Sequence, residues 1–348
     1  MKIAIIGSGM MGSALAFPAI YNRHQVALIG TVLDDDIITE CKKSGKHPKF
    51  EKGFPESNVS YHYFSEWKTA IQGASFIICG VSSFGVDWFL ENVLSDSACD
   101  VPVLSVTKGL ICLNDGKLIS YPDYWNNELA KKGIKKEICA IGGPCTSYEL
   151  VYGDKTEVAF CGENEETLKM MKNALKTPYY NISLTKDIIG LESAVALKNG
   201  YALGVALTIG LVEKEFGENA GLHYNSQAGV FYQATKEMKK LMAIQNGSEN
   251  AYFIGVGDLY VTVYGGRTRL VGILLGNGLT ITEALDKLKG VTLESLVVAK
   301  RVAKAIRIKA EKGEVDINAF PLLMHVDNII TNGASAEIPW DKFTFEEL

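Results

Sequence analysis

The chain opens on Lys2–Gly7, an apolar run, and passes directly into Gly7-Ser8-Gly9-Met10-Met11-Gly12. A G-x-G-x-x-G between a strand and a helix does a definite job. The first glycine permits the tight turn, the second lets backbone approach a pyrophosphate, and the third lets helix pack on strand. Free N–H groups at the helix start then bind phosphate oxygens. In a chain with 34 glycines the hexapeptide alone is weak, and its strand–turn–helix setting is what makes it a dinucleotide fingerprint. The ribose is read at the end of the next strand, here Leu28-Ile29-Gly30-Thr31, where a carboxylate favours NAD and an arginine NADP. No arginine is offered, and Asp34-Asp35-Asp36 follows closely, which favours NAD and leaves NADP possible. The same three carboxylates serve equally well as the solvated N-terminus of a helix.

A second candidate is Lys198, the only charged residue in the twenty-residue stretch Ser193–Val212. The stretch approaches the length of a membrane span, but a central lysine is costly in lipid, so a buried core helix is expected and no membrane span. Gly200 and Gly204 then serve close helix packing. An unpaired buried ammonium costs several kcal/mol or loses its proton. The stretch therefore points to an active-site lysine, against the alternatives that it snorkels outward or pairs structurally with Glu192. Lys108, in Thr107-Lys108-Gly109, follows a strand where ligands of open α/β sheets bind, although on its own it reads as a loop lysine. Gly255-Val256-Gly257-Asp258-Leu259 and Gly265-Gly266-Arg267-Thr268-Arg269 supply free amides and a forked donor suited to phosphate. Taken alone, this segment reads first as an interhelical loop with solvated arginines.

These residues need a scaffold, and the periodicity gives one. Strands are expected at Lys2–Gly7, Val26–Gly30, Val59–Tyr63, Phe76–Cys79, Val101–Ser105 and Ile138–Ile141, with helices at Met10–Tyr21, Ser65–Ile71, Val86–Leu94 and Tyr121–Lys132 between them. Thr156–Cys161, a helix at Glu165–Leu175, and Tyr180–Leu184 close the series. Such alternation implies α/β architecture, a parallel, doubly wound Rossmann-type sheet. Beyond Asp187 only helical patterns remain, at Ile188–Val212, Asn225–Ile244, Thr280–Leu288, Leu293–Ala310 and Asn318–Ile330. The expected division is 1–186 as a dinucleotide-binding domain and 187–348 as an all-helical substrate domain.

Composition narrows the function. The 348 residues carry 35 basic and 40 acidic side chains, a net charge of −5, which argues against nucleic acid as a partner. Seven cysteines at 41, 79, 99, 112, 139, 145 and 161 form no C-x-x-C pair, and the five histidines are scattered. That pattern suits reduced cytoplasmic thiols and no metal site. The N-terminus enters a strand directly, so no signal peptide is expected.

Together the motifs GSGMMG, SVTKGL, IGGPCTSYE, ALKNGYA, GVGDLYVT and YGGRTR stand in the order and spacing of one family. The chain resembles NAD(P)-dependent glycerol-3-phosphate dehydrogenase over nearly its whole length. The resemblance implies reversible oxidation of sn-glycerol 3-phosphate to dihydroxyacetone phosphate, a small phosphorylated substrate, and a homodimer. By position, Lys198 matches the family's general base and Lys108 its second active-site lysine. Asp258 and Thr262 match the acidic and hydroxyl residues of its GD-x-x-x-T motif, and Asn199 would help orient the substrate. Arg267 matches the arginine that holds substrate phosphate beside the cofactor, and Ser147 falls where backbone meets the cofactor. Three departures stand out: Thr268 replaces an asparagine, Lys289 stands where glutamate or glutamine is usual, and Tyr224-Asn225-Ser226-Gln227-Ala228-Gly229 lacks a lysine. Thr268 and Lys289 keep open a related dehydrogenase acting on a different sugar or polyol phosphate or a hydroxy acid. A catalytically silent dinucleotide sensor would have no need of two lysines and an aspartate.

Overall fold

The computed structural model describes residues 1–55, 58–217, 221, 223–291 and 293–343. In chain order the first elements are β1 (Lys2–Ile6), α1 (Met10–Ala14), α2 (Ala16–Tyr21), β2 (Gln25–Ile29), α3 (Asp35–Ser44) and β3 (Val59–His62). Next come α4 (Trp67–Ala70), β4 (Ala74–Cys79), α5 (Val86–Phe89), β5 (Val103–Ser105), and the two short strands β6 (Leu110–Cys112) and β7 (Leu118–Ser120). The α/β part closes with α6 (Tyr121–Lys131), β8 (Ile138–Gly142), α7 (Ser147–Tyr152), β9 (Thr156–Cys161), α8 (Glu165–Leu175) and β10 (Tyr180–Thr185). Then follow α9 (Ile188–Phe216), α10 (Tyr224–Ile244), α11 (Glu249–Gly265), α12 (Arg267–Gly276), α13 (Ile281–Lys287), α14 (Glu294–Glu311) and α15 (Pro321–Asn332).

These elements form two compact units, Met1–Lys108 with Ser120–Ile188, and Gly109–Ile119 with Ile189–Leu348. The first is built on an eight-stranded sheet of order β10-β9-β8-β5-β4-β1-β2-β3. Its middle strands are buried on both faces, which is why Ile3-Ala4-Ile5-Ile6 and Phe76-Ile77-Ile78-Cys79 are continuous apolar runs rather than alternating ones. The chain order reverses between β1 and β4, so crossovers leave in opposite directions there and a crevice opens beyond the strand ends. The sheet departs from the expected parallel pairing at one junction, because β9 runs antiparallel to β8. The connecting segment carries only the six-residue α7. A parallel return usually requires a longer crossover helix. The helix expected over Met10–Tyr21 is divided at Leu15, three residues before Pro18, whose ring excludes the carbonyl of Ala14 from a continuous turn.

In the second unit α9 is the axis. It is long and apolar enough to cross a membrane, yet 94% of its most apolar window is buried inside the protein. A Cβ on Gly200 would lie 3.4 Å from the Ala299 Cβ of α14, and one on Gly204 only 2.9 Å from Leu322 of α15. Both glycines thus serve close packing, as the sequence suggested. The hairpin β6–β7 belongs here and was not anticipated. Arg301 donates to Leu110 O at 3.0 Å, and Lys312 to Asp115 O at 2.6 Å, so α14 holds the hairpin by its backbone.

Glu237 of α10 is a fully buried carboxylate at the start of α15. It accepts from the N–H groups of Leu322 (2.7 Å) and Leu323 (3.0 Å) and from Gln233 Nε2 (2.8 Å). It thereby satisfies donors that a helix start leaves unpaired. Burial pushes its carboxyl up to about 7, against the pull of those donors. The folded value lies above the unfolded one, so this group's contribution favours the fold most below the unfolded carboxylate range. That contribution declines as pH rises towards about 7. Glu237→Gln is expected to flatten the fall in melting temperature between about pH 5 and pH 8, while costing on the order of 1–3 kcal/mol throughout, because Leu322 and Leu323 bond different carboxylate oxygens and one of these becomes an NH2 that cannot accept. A variant whose melting temperature keeps the parent's slope would place that titration on another group.

Candidate active site

In the first unit the predicted residues gather along one edge of the sheet. β8, β5, β4, β1 and β2 are mutually parallel neighbours, so their C-terminal ends lie side by side. The glycine loop follows β1, Thr31 follows β2, Lys108 follows β5, and Gly143 follows β8. Gly7 has φ +103°, and a Cβ there would meet the carbonyl carbon of Gly80 at 2.7 Å. A Cβ on Gly12 would lie 2.4 Å from Gly7 O. Gly80, which the sequence reading missed, is the third member: its Cβ would lie 2.5 Å from that same oxygen. The signal for it was a glycine closing the apolar run Phe76–Cys79. Gly9 is different, since a Cβ there would touch only Gly80 O at 3.8 Å. Its outward side is open, as a pyrophosphate cradle requires, while Met10 and Met11 begin α1. The buried Ser8 hydroxyl finds no partner among the described residues, a further mark of a loop shaped for a polar ligand.

The three carboxylates of the acidic triplet are placed differently. Asp35 and Asp36 occupy the first turn of α3, where carboxylates complement the helix dipole. Asp34 instead turns towards the loop, and its Oδ2 accepts from Ser8 N–H (3.2 Å), Thr31 N–H (2.8 Å) and Thr31 Oγ (2.8 Å). Lys108 Nζ donates to Gly143 O at 3.3 Å, joining the ends of β5 and β8. Ser147 is the first residue of α7, behind the Thr146 cap.

In the second unit Lys198 and Asp258 form an ion pair, although sixty residues separate them. Lys198 is 8% exposed and Asp258 1%, so the lysine does not snorkel to the surface. Two charges this deep are tolerated because each compensates the other, and removal of either strands its partner at a cost of about 3–5 kcal/mol. The partner comes from α11, which corrects the interhelical-loop reading of this segment. Its glycines are contact points within helices. A Cβ on Gly255 would lie 2.7 Å from Ala194 Cβ, one turn before the ion pair. Thr262 lies one turn beyond Asp258 and donates its hydroxyl to Asp258 O at 2.7 Å, leaving its lone pairs to accept.

Arg267 is the exposed first residue of α12, behind Gly266, with Thr268 buried beside it. α12 reaches α9 through glycines as well. A Cβ on Gly272 would meet Ala206 Cβ at 2.5 Å, and one on Gly276 would meet Leu207 O at 2.3 Å. One turn of α12 matches one turn of α9, so the helices run in the same direction. The first turn of α12 therefore points back towards the turn of α9 that follows Lys198. Asn199 is half-buried there, whereas Lys289 is exposed on the turn after α13.

A sheet whose glycine turn sits at the reversal of strand order has the architecture of the dinucleotide-binding α/β proteins. The helical unit narrows this class. Residues 2–168 match the model for the N-terminus of NAD-dependent glycerol-3-phosphate dehydrogenase, and residues 187–340 match that for its C-terminus. The chain belongs to this family. It is an oxidoreductase catalysing reversible NAD(P)-dependent oxidation of sn-glycerol 3-phosphate to dihydroxyacetone phosphate. An NADP(+)-dependent glycerol-3-phosphate dehydrogenase of Archaeoglobus fulgidus is 29% identical over 313 residues, covering 89% of this chain and 90% of its own. Two solved glycerol-3-phosphate dehydrogenases share the fold. That of Coxiella burnetii has a TM-score of 0.78 at 22% identity over 96% of each chain. That of Plasmodium falciparum has a TM-score of 0.81 at 20% identity, over 100% of this chain and 96% of its own.

Proposed function

We propose that Lys198 is the proton-transfer group of this reaction, Asp258 its charge partner, and Arg267 the anchor of the substrate phosphate. The buried Lys198–Asp258 pair carries the reading. In reduction the Lys198 ammonium, held beside Asp258, gives its proton to the forming C2 alkoxide. In oxidation the neutral amine takes that proton back. Bound, the nicotinamide supplies the hydride acceptor or donor. The residues that would hold the dinucleotide are Gly7 to Gly12, Thr31 and Ser147, and the open side of Gly9 fits a pyrophosphate. By the family resemblance, Lys108 is assigned as a second catalytic lysine, Thr262, Asn199 and Thr268 to substrate binding, and Lys289 to cofactor binding.

Asp34, just before α3 and bonded to Thr31 N–H, supports NAD as the preferred cofactor, because its carboxylate would repel a 2′-phosphate. The division of labour places the dinucleotide on 1–186 and the substrate on 187–348, with the hairpin Gly109–Ile119 joining the latter. A homodimer is supported by the outward face of α11. Phe253, Tyr260 and Tyr264 are exposed there, and the only charge between Glu249 and Arg267 is the buried Asp258. Interface centres concentrate aromatics and shed charge in this way. The mostly buried thiols suit a cytoplasmic location, and the net charge of −5 suits the absence of nucleic-acid partners.

Loss of reduced-nicotinamide absorbance on adding dihydroxyacetone phosphate, measured with NADH and NADPH in parallel, tests the reading. Arg267→Ala is expected to raise KM for the phosphorylated substrate by roughly 10- to 100-fold, in line with a lost charge-assisted hydrogen-bonding pair. Turnover of unphosphorylated glycerone should hardly change. An equal loss on both substrates would move the phosphate away from Arg267.

A further inference from the structure

His47 lies between α3 and β3, outside every motif the sequence singled out, and is 1% exposed. Its ring has two defined neighbours. The Lys49 N–H donates to Nδ1 at 3.1 Å, so Nδ1 carries no hydrogen. The hydrogen is therefore on Nε2, which lies 3.1 Å from the carbonyl oxygen of Ser8 and donates to it. The ring also packs on Phe50 at 4.5 Å between centroids, and Phe50 in turn meets Phe17 and Tyr148 edge-on. A second donor reaches the same oxygen, since Ser13 Oγ lies 3.0 Å from Ser8 O.

The two donors fix more than one oxygen. In a planar trans peptide the C=O and the following N–H point in opposite directions. With the Ser8 carbonyl drawn inward, the Gly9 N–H must point to the other side, where it finds no acceptor among the described residues. Gly9 itself adds no side chain to the loop, and a Cβ there would have only Gly80 O within 4 Å. We propose that His47 is a positioning residue for the dinucleotide: by holding the Ser8 carbonyl, it presets the Gly9 N–H for a pyrophosphate oxygen. Burial pushes the imidazole down from its ordinary value, which keeps Nδ1 available to the Lys49 N–H. The side chain touches no reacting atom, so its effect falls on cofactor affinity and spares the chemical step. The inference rests on the assignment of Gly7–Gly12 to the cofactor, and the experiment separates the two.

Cofactor dissociation constants are measured by NADH fluorescence on the full-length protein, with kcat, KM for dihydroxyacetone phosphate and melting temperature recorded alongside. His47→Leu is expected to weaken NADH binding about tenfold, as loss of one buried hydrogen bond would. Its kcat at saturating NADH and its KM for dihydroxyacetone phosphate should stay within about twofold of the parent. His47→Gln, whose amide nitrogen can occupy the place of Nε2, should restore most of the affinity. Ser13→Ala removes the other donor and should show the same split to a smaller degree, so it carries the test if His47→Leu does not fold. Gly9→Leu fills the open side of the loop directly. Unchanged NADH affinity in Gly9→Leu would remove the loop from the cofactor site. Lost affinity in Gly9→Leu with parental affinity in His47→Leu or Ser13→Ala would overturn the role of His47 alone. A melting temperature lowered equally by leucine and glutamine, with no difference in affinity between them, would also overturn it.

Discussion

The Lys198→Arg variant should remain a folded, cofactor-binding protein that turns over about 10²–10⁴-fold more slowly, the usual worth of a positioned proton-transfer group. The reasoning is one of charge against exchange. The guanidinium would still present a positive charge to Asp258, so the buried carboxylate would not be stranded. It does not release its proton at any working pH, however, so it cannot serve as the base. Lys198→Ala should lose turnover comparably and also lose stability, by about 3–5 kcal/mol, because Asp258 remains buried without its partner. The pair of variants separates chemistry from folding. Stopped-flow or steady-state kcat, with NADH binding measured in parallel, provides the readout. Near-parental kcat in Lys198→Arg would take proton transfer away from this residue.

Gly12→Ala should be the most damaging change in the first unit. The added methyl would lie 2.4 Å from Gly7 O, and its neighbours are backbone atoms of Gly7 and Gly80 that cannot rotate aside. Either α1 lifts from β1 or the loop opens, and overpacking of this kind costs about 1–3 kcal/mol or more. Because the displaced atoms are those of the loop, cofactor affinity should fall further than stability, by at least about 100-fold on the scale of several lost phosphate contacts. Calorimetric titration with NADH checks it. If the alanine variant bound NADH like its parent, α1 would not be seated on the loop as closely as described.

Much of the scaffold was legible because local signals were strong. β9 and α8 have the same limits in sequence and structure, and Asn164 caps α8 by accepting from the N–H groups of Glu166 and Thr167. The hairpin β6–β7 escaped because three-residue strands show no periodicity, although Asp115-Gly116 is a turn signal and Gly116 has φ +84°. α11 and α12 escaped for another reason. Glycine disfavours helix locally, and only the tertiary approach of α9 explains its presence at 255, 272 and 276. The lysine of the site was visible as a lone charge among apolar residues, whereas the partner that retains it there was not, being sixty residues away. His47 and Gly80 carried no motif at all. Their significance lies in which backbone atoms they meet.

The glycine contacts of α9 give that helix the role of a common datum. Asp258 is indexed to it through Gly255, and Arg267 through Gly272 and Gly276, so the offset between the Lys198–Asp258 pair and the first turn of α12 is machined into a single rigid rod. On the proposed roles, swapping residues at the mouth of α12 should change substrate preference while leaving the Lys198–Asp258 pair in place. Thickening a small residue at one of these contacts would instead shift α11 or α12 alone and so change the offset.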